Sequence, residues 1–344
     1  MNFLVTGGAG FIGSEFVRKT LLAWHPEDEV AVLDKLTYAG NVANLQSVWD
    51  LAGFRFVQGD IADRKAVERA LDGCQAVVNF AAETHVDRSI LEPDAFVKTD
   101  VLGTWILAEA ARAAGVQRFV HISTDEVYGA VLDGASGEVD RLDPTSPYSA
   151  AKAGGELLVL AAHKTYGLPA LIVRGANAYG PYQYPEKLIP LHITNAIDDQ
   201  PLPVYGDGQQ RRQWTHVSDF TLGIDTVLRY GTIGEIYNIG SPQPELDMPV
   251  NLELSRRILQ LLGKPESLLE FVVDRPAHDR RYRVNSAKLL DLGWQPEWTF
   301  WAGLEATLNW YSEHPEWWRP IKSGARHQAY YERNYADRST FARK

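Results

Sequence analysis

Residues 1–13, MNFLVTGGAGFIG, decide the fold. The apolar run Phe3–Val5 has the composition of a buried strand, and the residues after the glycine run have the pattern of a helix. Gly7, Gly10 and Gly13 stand between them. Without a Cβ, these positions let the turn tighten, let backbone N–H groups approach a pyrophosphate and let the helix pack on the strand. The alternative is an ordinary tight turn; the context described next favours a dinucleotide-binding βα unit.

Asp34 closes the next apolar run and supports this interpretation. A carboxylate at this distance from the glycines accepts hydrogen bonds from an adenosine ribose, and it repels a 2′-phosphate, so NAD is favoured over NADP. Gly59, Asp60 and Ile61 end the third run and could hold the adenine, with a plain loop as the alternative.

The rest of the first half alternates between strand and helix patterns. The strand patterns are Phe3–Val5, Val30–Leu33, Phe54–Val57, Ala76–Phe80, Phe119–Ile122 and Leu171–Val173, and the helix patterns are Phe11–Leu22, Asp63–Leu71, Asp94–Ala114 and Pro147–Tyr166. This alternation predicts an α/β fold, a Rossmann-type doubly wound parallel sheet. We expect residues 1–175 to form this NAD-binding domain and to receive the segment at about 215–240. Prolines punctuate the chain after Gly175, so a smaller C-terminal α/β substrate-binding domain is expected at 176–330, with a tail at 331–344.

Composition excludes several classes of protein. The 344 residues carry 34 Lys and Arg against 44 Asp and Glu, a net charge of −10, which disfavours a general nucleic-acid binder. The 45% apolar content is typical of a folded enzyme. A single cysteine, Cys74, excludes an internal disulfide and a multi-cysteine metal site, and it favours a reducing cytoplasm. We expect no export or membrane segment.

A chemical site is indicated by Tyr148 and Lys152, which lie four residues apart on one face of a predicted helix. A cation stabilises phenolate, so Lys152 is expected to lower the pKa of Tyr148 and make it a base for a hydroxyl. A solvated helix face is the alternative. The preceding glycine loop and Ser123, at the end of a predicted strand, favour alcohol oxidation.

Two adjacent carboxylates, Asp125 and Glu126, follow the same strand. Redox chemistry alone needs neither, whereas an elimination needs an acid and a base whose pKa values are separated. A solvated acidic turn is the alternative.

Arg212 and Arg275 are candidates for binding a diphosphate, because guanidinium groups match phosphate oxygens in a bidentate way. The run Glu83-Thr84-His85 lacks the spacing of several ligands that a metal site requires, so no metal is expected.

Longer strings of the sequence resemble the dTDP-glucose 4,6-dehydratases, a family of the extended short-chain dehydrogenase/reductase superfamily that acts in deoxysugar biosynthesis. The resemblance runs almost end to end and is carried by Leu33–Asn41, Phe80–Ser89, Ser123–Gly129, Tyr179–Gln183, Pro185–Pro190 and Arg275–Tyr282. In that family NAD oxidises the hydroxyl at carbon 4 of the glucose, water leaves across carbons 5 and 6, and hydride returns to carbon 6.

The resemblance implies a role for each catalytic residue. Tyr148 would be the base for the carbon 4 hydroxyl, with Lys152 tuning it and binding the nicotinamide ribose. Thr124 would hydrogen-bond the same hydroxyl. Glu126 would remove the proton from carbon 5 and Asp125 would protonate the leaving hydroxyl of carbon 6, so we expect Asp125 to be protonated at neutral pH and Glu126 to be ionised.

The resemblance also extends the binding sites. Further cofactor contacts would be Phe11, Ile12, Lys35, Thr37, Gly40, Ala81, Ala82, Thr84 and Thr99. Substrate contacts would be His85, Asn177, Lys187, Leu188, Pro203, Tyr205, Asn251, His278 and Tyr282, together with Arg212 and Arg275. The family implies a homodimer in which the helices near Asp94–Ala114 and Tyr148–Tyr166 form a four-helix bundle with those of the partner.

Some positions depart from the family pattern: Asp100, Ala176, Ala178, Gln213 and Ala277, and a long loop from Ser241 to Val250. They leave the catalytic residues intact and put fine substrate selection in question. A nucleotide-sugar 4-epimerase, or a dehydratase for another nucleotide sugar, stays open as the alternative, as does the final deoxysugar. A non-catalytic NAD-binding scaffold is disfavoured, because every proposed chemical residue is present.

Overall fold

A computed structural model describes residues 1–243 and 247–335. Its strands are β1 (Asn2–Thr6), β2 (Glu29–Asp34), β3 (Phe54–Gln58), β4 (Ala76–Asn79), β5 (Arg118–Thr124), β6 (Ala170–Gly175), β7 (Asn177–Tyr179), β8 (Leu202–Tyr205), β9 (Trp214–His216), β10 (Ile236–Ile239) and β11 (Leu269–Val272). Its α-helices are α1 (Phe11–Lys19), α2 (Arg64–Leu71), α3 (Val86–Leu91), α4 (Pro93–Phe96), α5 (Thr104–Ala113), α6 (Pro147–Tyr166), α7 (Leu188–Ile197), α8 (Val217–Tyr230), α9 (Asn251–Leu261), α10 (Ala287–Asp291), α11 (Phe300–Glu313), α12 (Pro315–Ser323) and α13 (Ala325–Tyr335).

The main sheet of the described residues is parallel, in the order β3-β2-β1-β4-β5-β6-β10. The strand order reverses at β1, which pairs with β2 on one side and β4 on the other. Such a switch point leaves a crevice at the carboxyl ends of the strands, where ligands bind in doubly wound sheets. The predicted Rossmann-type fold class is confirmed, and all six predicted strands lie in this sheet.

Alternation along β1 explains why both faces of the sheet are covered. Phe3 and Val5 are buried in one apolar core with Phe16 of α1, whereas Leu4 is buried in a second core with Leu107 of α5. Successive side chains of a strand point to opposite faces, so a strand that is apolar throughout requires helices on both sides.

The long helices begin and end close to their predicted bounds. Ser146 and Ser149 form a reciprocal capping box at the start of α6, and Gly167 ends it with a φ of 73°. The predicted helix at 94–114 consists of α4 and α5 joined by a π-helical segment at Val97–Gly103.

The second half of the chain contributes to two regions. Helix α8 packs on α1 and leads into β10 at the edge of the main sheet. A third apolar core joins α7, α9, α11 and α12 beside the two-stranded sheet of β8 and β11. The predicted boundary between the substrate-binding domain and the tail, at residues 330 and 331, lies inside helix α13. Residues 244–246 of the long loop and residues 336–344 of the tail lie outside the described part.

Within residues 1–243 and 247–335, no helix has both the length and the apolar character needed to cross a membrane.

Candidate active site

A cavity of about 400 Å³ opens at the carboxyl ends of the main strands. With one exception, it is lined by every residue predicted for catalysis, cofactor binding or substrate binding. The lining from the first half comprises Gly7, Gly10, Phe11, Ile12, Gly13, Asp34, Lys35, Thr37, Gly40, Asp60, Ile61, Ala81, Ala82, Thr84, His85, Thr99, Thr124, Asp125, Glu126, Tyr148 and Lys152. The lining from the second half comprises Asn177, Lys187, Leu188, Pro203, Tyr205, Arg212, Asn251, Arg275 and His278.

The exception is Tyr282, which does not line the cavity. Its ring lies behind Arg212, whose guanidinium carbon is 4.3 Å from the ring centroid, and its hydroxyl donates to Asp279 Oδ2 at 2.5 Å. The prediction that Tyr282 contacts substrate is therefore not supported by the geometry. The ring supports Arg212 from behind through a cation–π contact.

The glycine turn fits a pyrophosphate because two of its positions have no room for a side chain. A Cβ on Gly13 would lie 2.4 Å from the carbonyl oxygen of Gly7. Gly7 has a φ of +68°, and a Cβ there would lie 2.7 Å from the backbone nitrogen of Ala81. The backbone of the loop thus faces the cavity directly at the start of α1, where helix N–H groups favour an anion.

Asp34 lines the cavity and also organises the loop beside it. Its Oδ2 accepts a hydrogen bond from the N–H of Ala9 at 2.9 Å, and its Oδ1 accepts one from the N–H of Leu36 at 2.8 Å. The neighbouring Lys35 pairs with Asp60 at 2.8 Å. Carboxylate oxygens have further lone pairs, so Asp34 can still accept from a ribose.

Thr124, Asp125 and Glu126 meet at the end of β5. Thr124 begins a 3-10 turn by accepting a hydrogen bond from the N–H of Glu126 at 3.2 Å, and its hydroxyl donates to Asp125 Oδ1 at 3.2 Å. The Oδ2 atom of Asp125 is buried and has no hydrogen-bond partner among the described residues. A buried oxygen without a partner at the wall of a cavity is suited to a substrate hydroxyl.

The two carboxylates stand in different electrostatic surroundings. Burial raises the pKa of Asp125 to about 8, with a further rise from the Glu126 carboxylate, so Asp125 is protonated at pH 7. Burial also raises the pKa of Glu126, but Arg275, Arg212 and Lys187 oppose that rise. The cations therefore favour charge on Glu126, whereas burial and the nearby Glu126 carboxylate favour a proton on Asp125 against the opposing effect of Arg212.

The pKa of Tyr148 is not lowered as the spacing to Lys152 suggested. Burial raises it well above 10.0, and the charges of Glu126 and Asp100 raise it further, although a hydrogen bond with Thr124 opposes them. The ammonium of Lys152 is directed elsewhere: its Nζ donates to the carbonyl oxygen of Ile122 at 2.6 Å. The expectation was wrong because a sequence spacing does not show which acceptors compete for the lysine.

Several cations line the part of the cavity that the second half of the chain forms. Lys187 Nζ donates to Thr84 Oγ1 at 3.1 Å, and Arg275 lies 3.7 Å from Asp87. Several buried polar atoms around them have no hydrogen-bond partner among the described residues: Asn177 Oδ1, Asn251 Oδ1 and Arg275 Nε. Buried polar groups need partners, so these atoms indicate a polar ligand.

Sequence reasoning missed further residues of the lining, among them Asp87, Glu186 and Tyr335. Asp87 accepts from the hydroxyl of Tyr205 at 3.0 Å, and Glu186 pairs with Arg88 at 2.7 Å. Both lie inside motifs that carry the resemblance, so their position was a usable signal. Tyr335 lies in the predicted tail, where no pattern pointed to the cavity. No cluster of His, Cys, Asp and Glu suited to a metal occurs in the described ranges.

Comparisons with known proteins agree with this geometry. The family model described as GDP-mannose 4,6 dehydratase matches residues 4–307. A dTDP-glucose 4,6-dehydratase of Streptomyces niveus is 52% identical over 94% of this chain and 96% of its own. The structure of DesIV, a dTDP-glucose 4,6-dehydratase of Streptomyces venezuelae solved with NAD, has a TM-score of 0.90 at 49% identity and covers 94% of this chain and 100% of its own.

The chain belongs to the dTDP-glucose 4,6-dehydratase family. The 4-epimerases have the same fold but are less similar: UDP-glucuronic acid 4-epimerase of Bacillus cereus has a TM-score of 0.84 at 28% identity, covering 91% of this chain and 99% of its own. The dehydratases thus match this chain at a higher sequence identity and a higher TM-score than this 4-epimerase does.

Proposed function

We propose that this chain is a hydro-lyase that converts dTDP-glucose to dTDP-4-keto-6-deoxyglucose with NAD as its cofactor. The observation that carries the proposal is the pair Asp125, which is buried, and Glu126, which is half-buried, beside Tyr148 in one cavity. Removal of water requires a protonated acid and an ionised base, whereas a 4-epimerase needs neither.

The first step is oxidation at carbon 4. Thr124 and Tyr148 share a hydrogen bond, so both can meet one substrate hydroxyl, and Tyr148 takes its proton. NAD held at the glycine turn would supply the hydride acceptor and donor, and the positive charge of its oxidised form would oppose the effect of Glu126 and Asp100 on the pKa of Tyr148. The ketone then acidifies the proton on carbon 5.

The second step is the elimination. Ionised Glu126 removes the proton from carbon 5, and the C6–O bond breaks as protonated Asp125 gives its proton to the leaving hydroxyl, which departs as water. Both carboxyl groups lie in a site that burial makes low in dielectric, which strengthens these interactions. Hydride returned to carbon 6 and the proton returned to carbon 5 by Glu126 would complete the product, and the proton taken by Tyr148 balances the one that Asp125 gave to the leaving water.

Arg212 and Arg275 would hold the diphosphate, because both side chains line the cavity and both act electrostatically on Glu126. Tyr205 and Pro203 also line the cavity and would meet the base. In this arrangement the glucose lies between the phosphate cations and Asp125.

The functional unit would be a homodimer in the cytoplasm. Apolar side chains are exposed on the π-helical segment and on α6, namely Val97, Leu102, Leu157 and Tyr166. Burying them against the same face of a second copy gives the four-helix bundle that the resemblance implies. One free cysteine and a substrate made from nucleotide precursors suit the cytoplasm.

The test is to incubate the purified protein with dTDP-glucose and catalytic NAD. We expect the alkali-induced ultraviolet absorbance of a 4-keto-6-deoxy sugar, loss of water by mass, and transfer of deuterium from carbon 4 to carbon 6 of the same molecule. A product of unchanged mass with inverted carbon 4 would contradict the proposal and indicate an epimerase. Turnover of UDP-glucose alone would contradict only the choice of base.

A further inference from the structure

Helix α13 contributes to the wall of the cavity next to Tyr205, the residue that is expected to meet the nucleotide base. The ring of Tyr335, at its last described turn, lines the cavity beside Tyr205. The two hydroxyl groups are 3.1 Å apart and the ring centroids 6.1 Å apart. The family model ends its match at residue 307, so α13 lies beyond the part of the chain on which that match depends.

The middle of α13 is anchored to the first half of the chain by an aromatic sandwich. The guanidinium carbon of Arg88 lies 3.7 Å from the ring centroid of Tyr38 and 3.9 Å from that of Tyr330 on α13. Arg88 also pairs with Glu186 at 2.7 Å, and the Tyr330 hydroxyl is hydrogen-bonded to Nδ1 of His85 at 2.9 Å. A cation held between two rings and a buried carboxylate fixes the helix against the cavity wall.

A polar chain then connects the end of α13 to the predicted diphosphate cation. Nδ2 of Asn334 donates to the Tyr205 hydroxyl at 3.2 Å, and that hydroxyl donates to Asp87 Oδ2 at 3.0 Å. The other oxygen of Asp87 lies 3.7 Å from Arg275. Asn334 is buried, and a buried amide needs hydrogen-bond partners such as this hydroxyl. The helix therefore helps to set the position of Tyr205 and, through Asp87, of Arg275.

We propose that α13 forms the wall of the substrate pocket at its nucleotide end, with Tyr335 contacting the base of the bound nucleoside diphosphate and Asn334 positioning Tyr205. This rests on the proposed function. A phenol ring presents a flat apolar face to a planar pyrimidine, and its hydroxyl is restrained by a second tyrosine. Tyr335 is then a specificity residue supplied from outside the part of the chain that the family model matches.

The test measures the binding of deoxythymidine diphosphate to the NAD-loaded, full-length enzyme by calorimetry. We expect Tyr335→Ala to raise the Kd for this nucleotide about tenfold and to raise the KM for dTDP-glucose more than it changes kcat. Tyr335→Phe keeps the ring and should raise the Kd by about twofold. Arg333→Ala is the matched control, because Arg333 is exposed on the same helix and pairs with Glu92 at 3.1 Å; its Kd should stay that of the wild type.

The outcomes separate this proposal from the proposed function. A Tyr335→Ala variant with wild-type melting temperature and wild-type Kd for the nucleotide overturns the role of α13. If that variant fails to fold, Tyr335→Phe decides the question by its Kd. Absence of dehydrated product with the wild-type enzyme is a different result. It contradicts the proposed function and not the proposed role of α13.

Discussion

The Nζ atom of Lys152 lies 3.8 Å from Oδ1 of Asp100, and both side chains are almost completely buried. The other oxygen of Asp100 accepts from the N–H of Glu83 at 3.2 Å. Burial raises the pKa of Asp100 to about 7 and lowers that of Lys152, and each group's charge opposes the other's shift. The lysine that was expected to tune Tyr148 thus contacts the carboxylate of Asp100 and the carbonyl oxygen of Ile122.

Asp100→Asn should move the acidic limb of the kcat profile to lower pH. The Asp100 charge raises the pKa of Tyr148, so its removal lowers that pKa, and a base with a lower pKa is active from a lower pH. We expect this limb to shift by about one pH unit when kcat is measured from pH 5 to 11, a range that extends above the ordinary tyrosine pKa of 10.0 because the pKa of Tyr148 is raised.

The titratable groups around Asp100 and Lys152 include Glu83, Glu156 and His121. All three remain in the Asp100→Asn variant. Asp219→Asn, which removes a buried carboxyl group of α8, is the control and should leave the limb in place. A shift of the limb to higher pH after Asp100→Asn would show that Asp100 acts instead by keeping Lys152 charged.

Activity of the wild type should fall as pH rises through about 8. The pKa of Asp125 is raised to about 8, and the elimination acid works only while protonated, so its proton is present below this pH and lost above it. The measurement is kcat for dTDP-glucose between pH 6 and 10. A profile that stays flat across this range would contradict the assignment of Asp125.

Asp125→Asn and Glu126→Gln should fail at different steps. Each should lower kcat by about 10²-fold or more, because each loses one proton transfer of the elimination. With substrate in deuterated water, Asp125→Asn keeps its base and should exchange the proton on carbon 5 while forming little product. Glu126→Gln should lose both the exchange at carbon 5 and the formation of product. Exchange at the wild-type rate in that variant would show that another residue is the base.

Gly13→Ala should strongly weaken NAD binding. The added Cβ would lie 2.4 Å from the carbonyl oxygen of Gly7, and only a backbone shift in the pyrophosphate turn can relieve that contact. We expect NAD affinity, measured by calorimetry, to fall by about two orders of magnitude or more. Gly137→Ala is the matched control, since no atom would lie within 4 Å of its Cβ.

Leu157→Glu should convert the protein to a monomer. Leu157 is 54% exposed on α6, and a carboxylate there cannot be buried against a second copy without a partner. The mass in solution, from light scattering, should halve. Leu132→Glu, at an exposed position on a loop, should leave the mass unchanged; a dimeric Leu157→Glu protein would place the interface on another face.

Short patterns predicted the first half well because local rules and tertiary structure agree there. The glycine turn, the capping box of α6 and the apolar strands each have one favourable conformation, and the sheet uses all of them. The positions of Asp125 and Glu126 could be read from the end of β5 for the same reason.

Pairings between distant segments could not be read in this way. Lys152 meets Asp100 and Ile122 because a π-helical segment and β5 flank α6, and nothing in the spacing from Tyr148 shows this. Tyr335 reaches Tyr205 across 130 positions of the sequence. Such contacts depend on how whole elements pack, which periodicity does not encode.

The two hydrogen bonds that Asp34 accepts from backbone N–H groups constrain any redesign of cofactor preference. A substitution meant to admit a 2′-phosphate removes the acceptor for Ala9 in the glycine turn and for Leu36 after β2. Selectivity and loop order therefore change together at this position. A switch to NADP would need a second acceptor placed for these two donors, so a single exchange at Asp34 should give a protein that binds neither dinucleotide well.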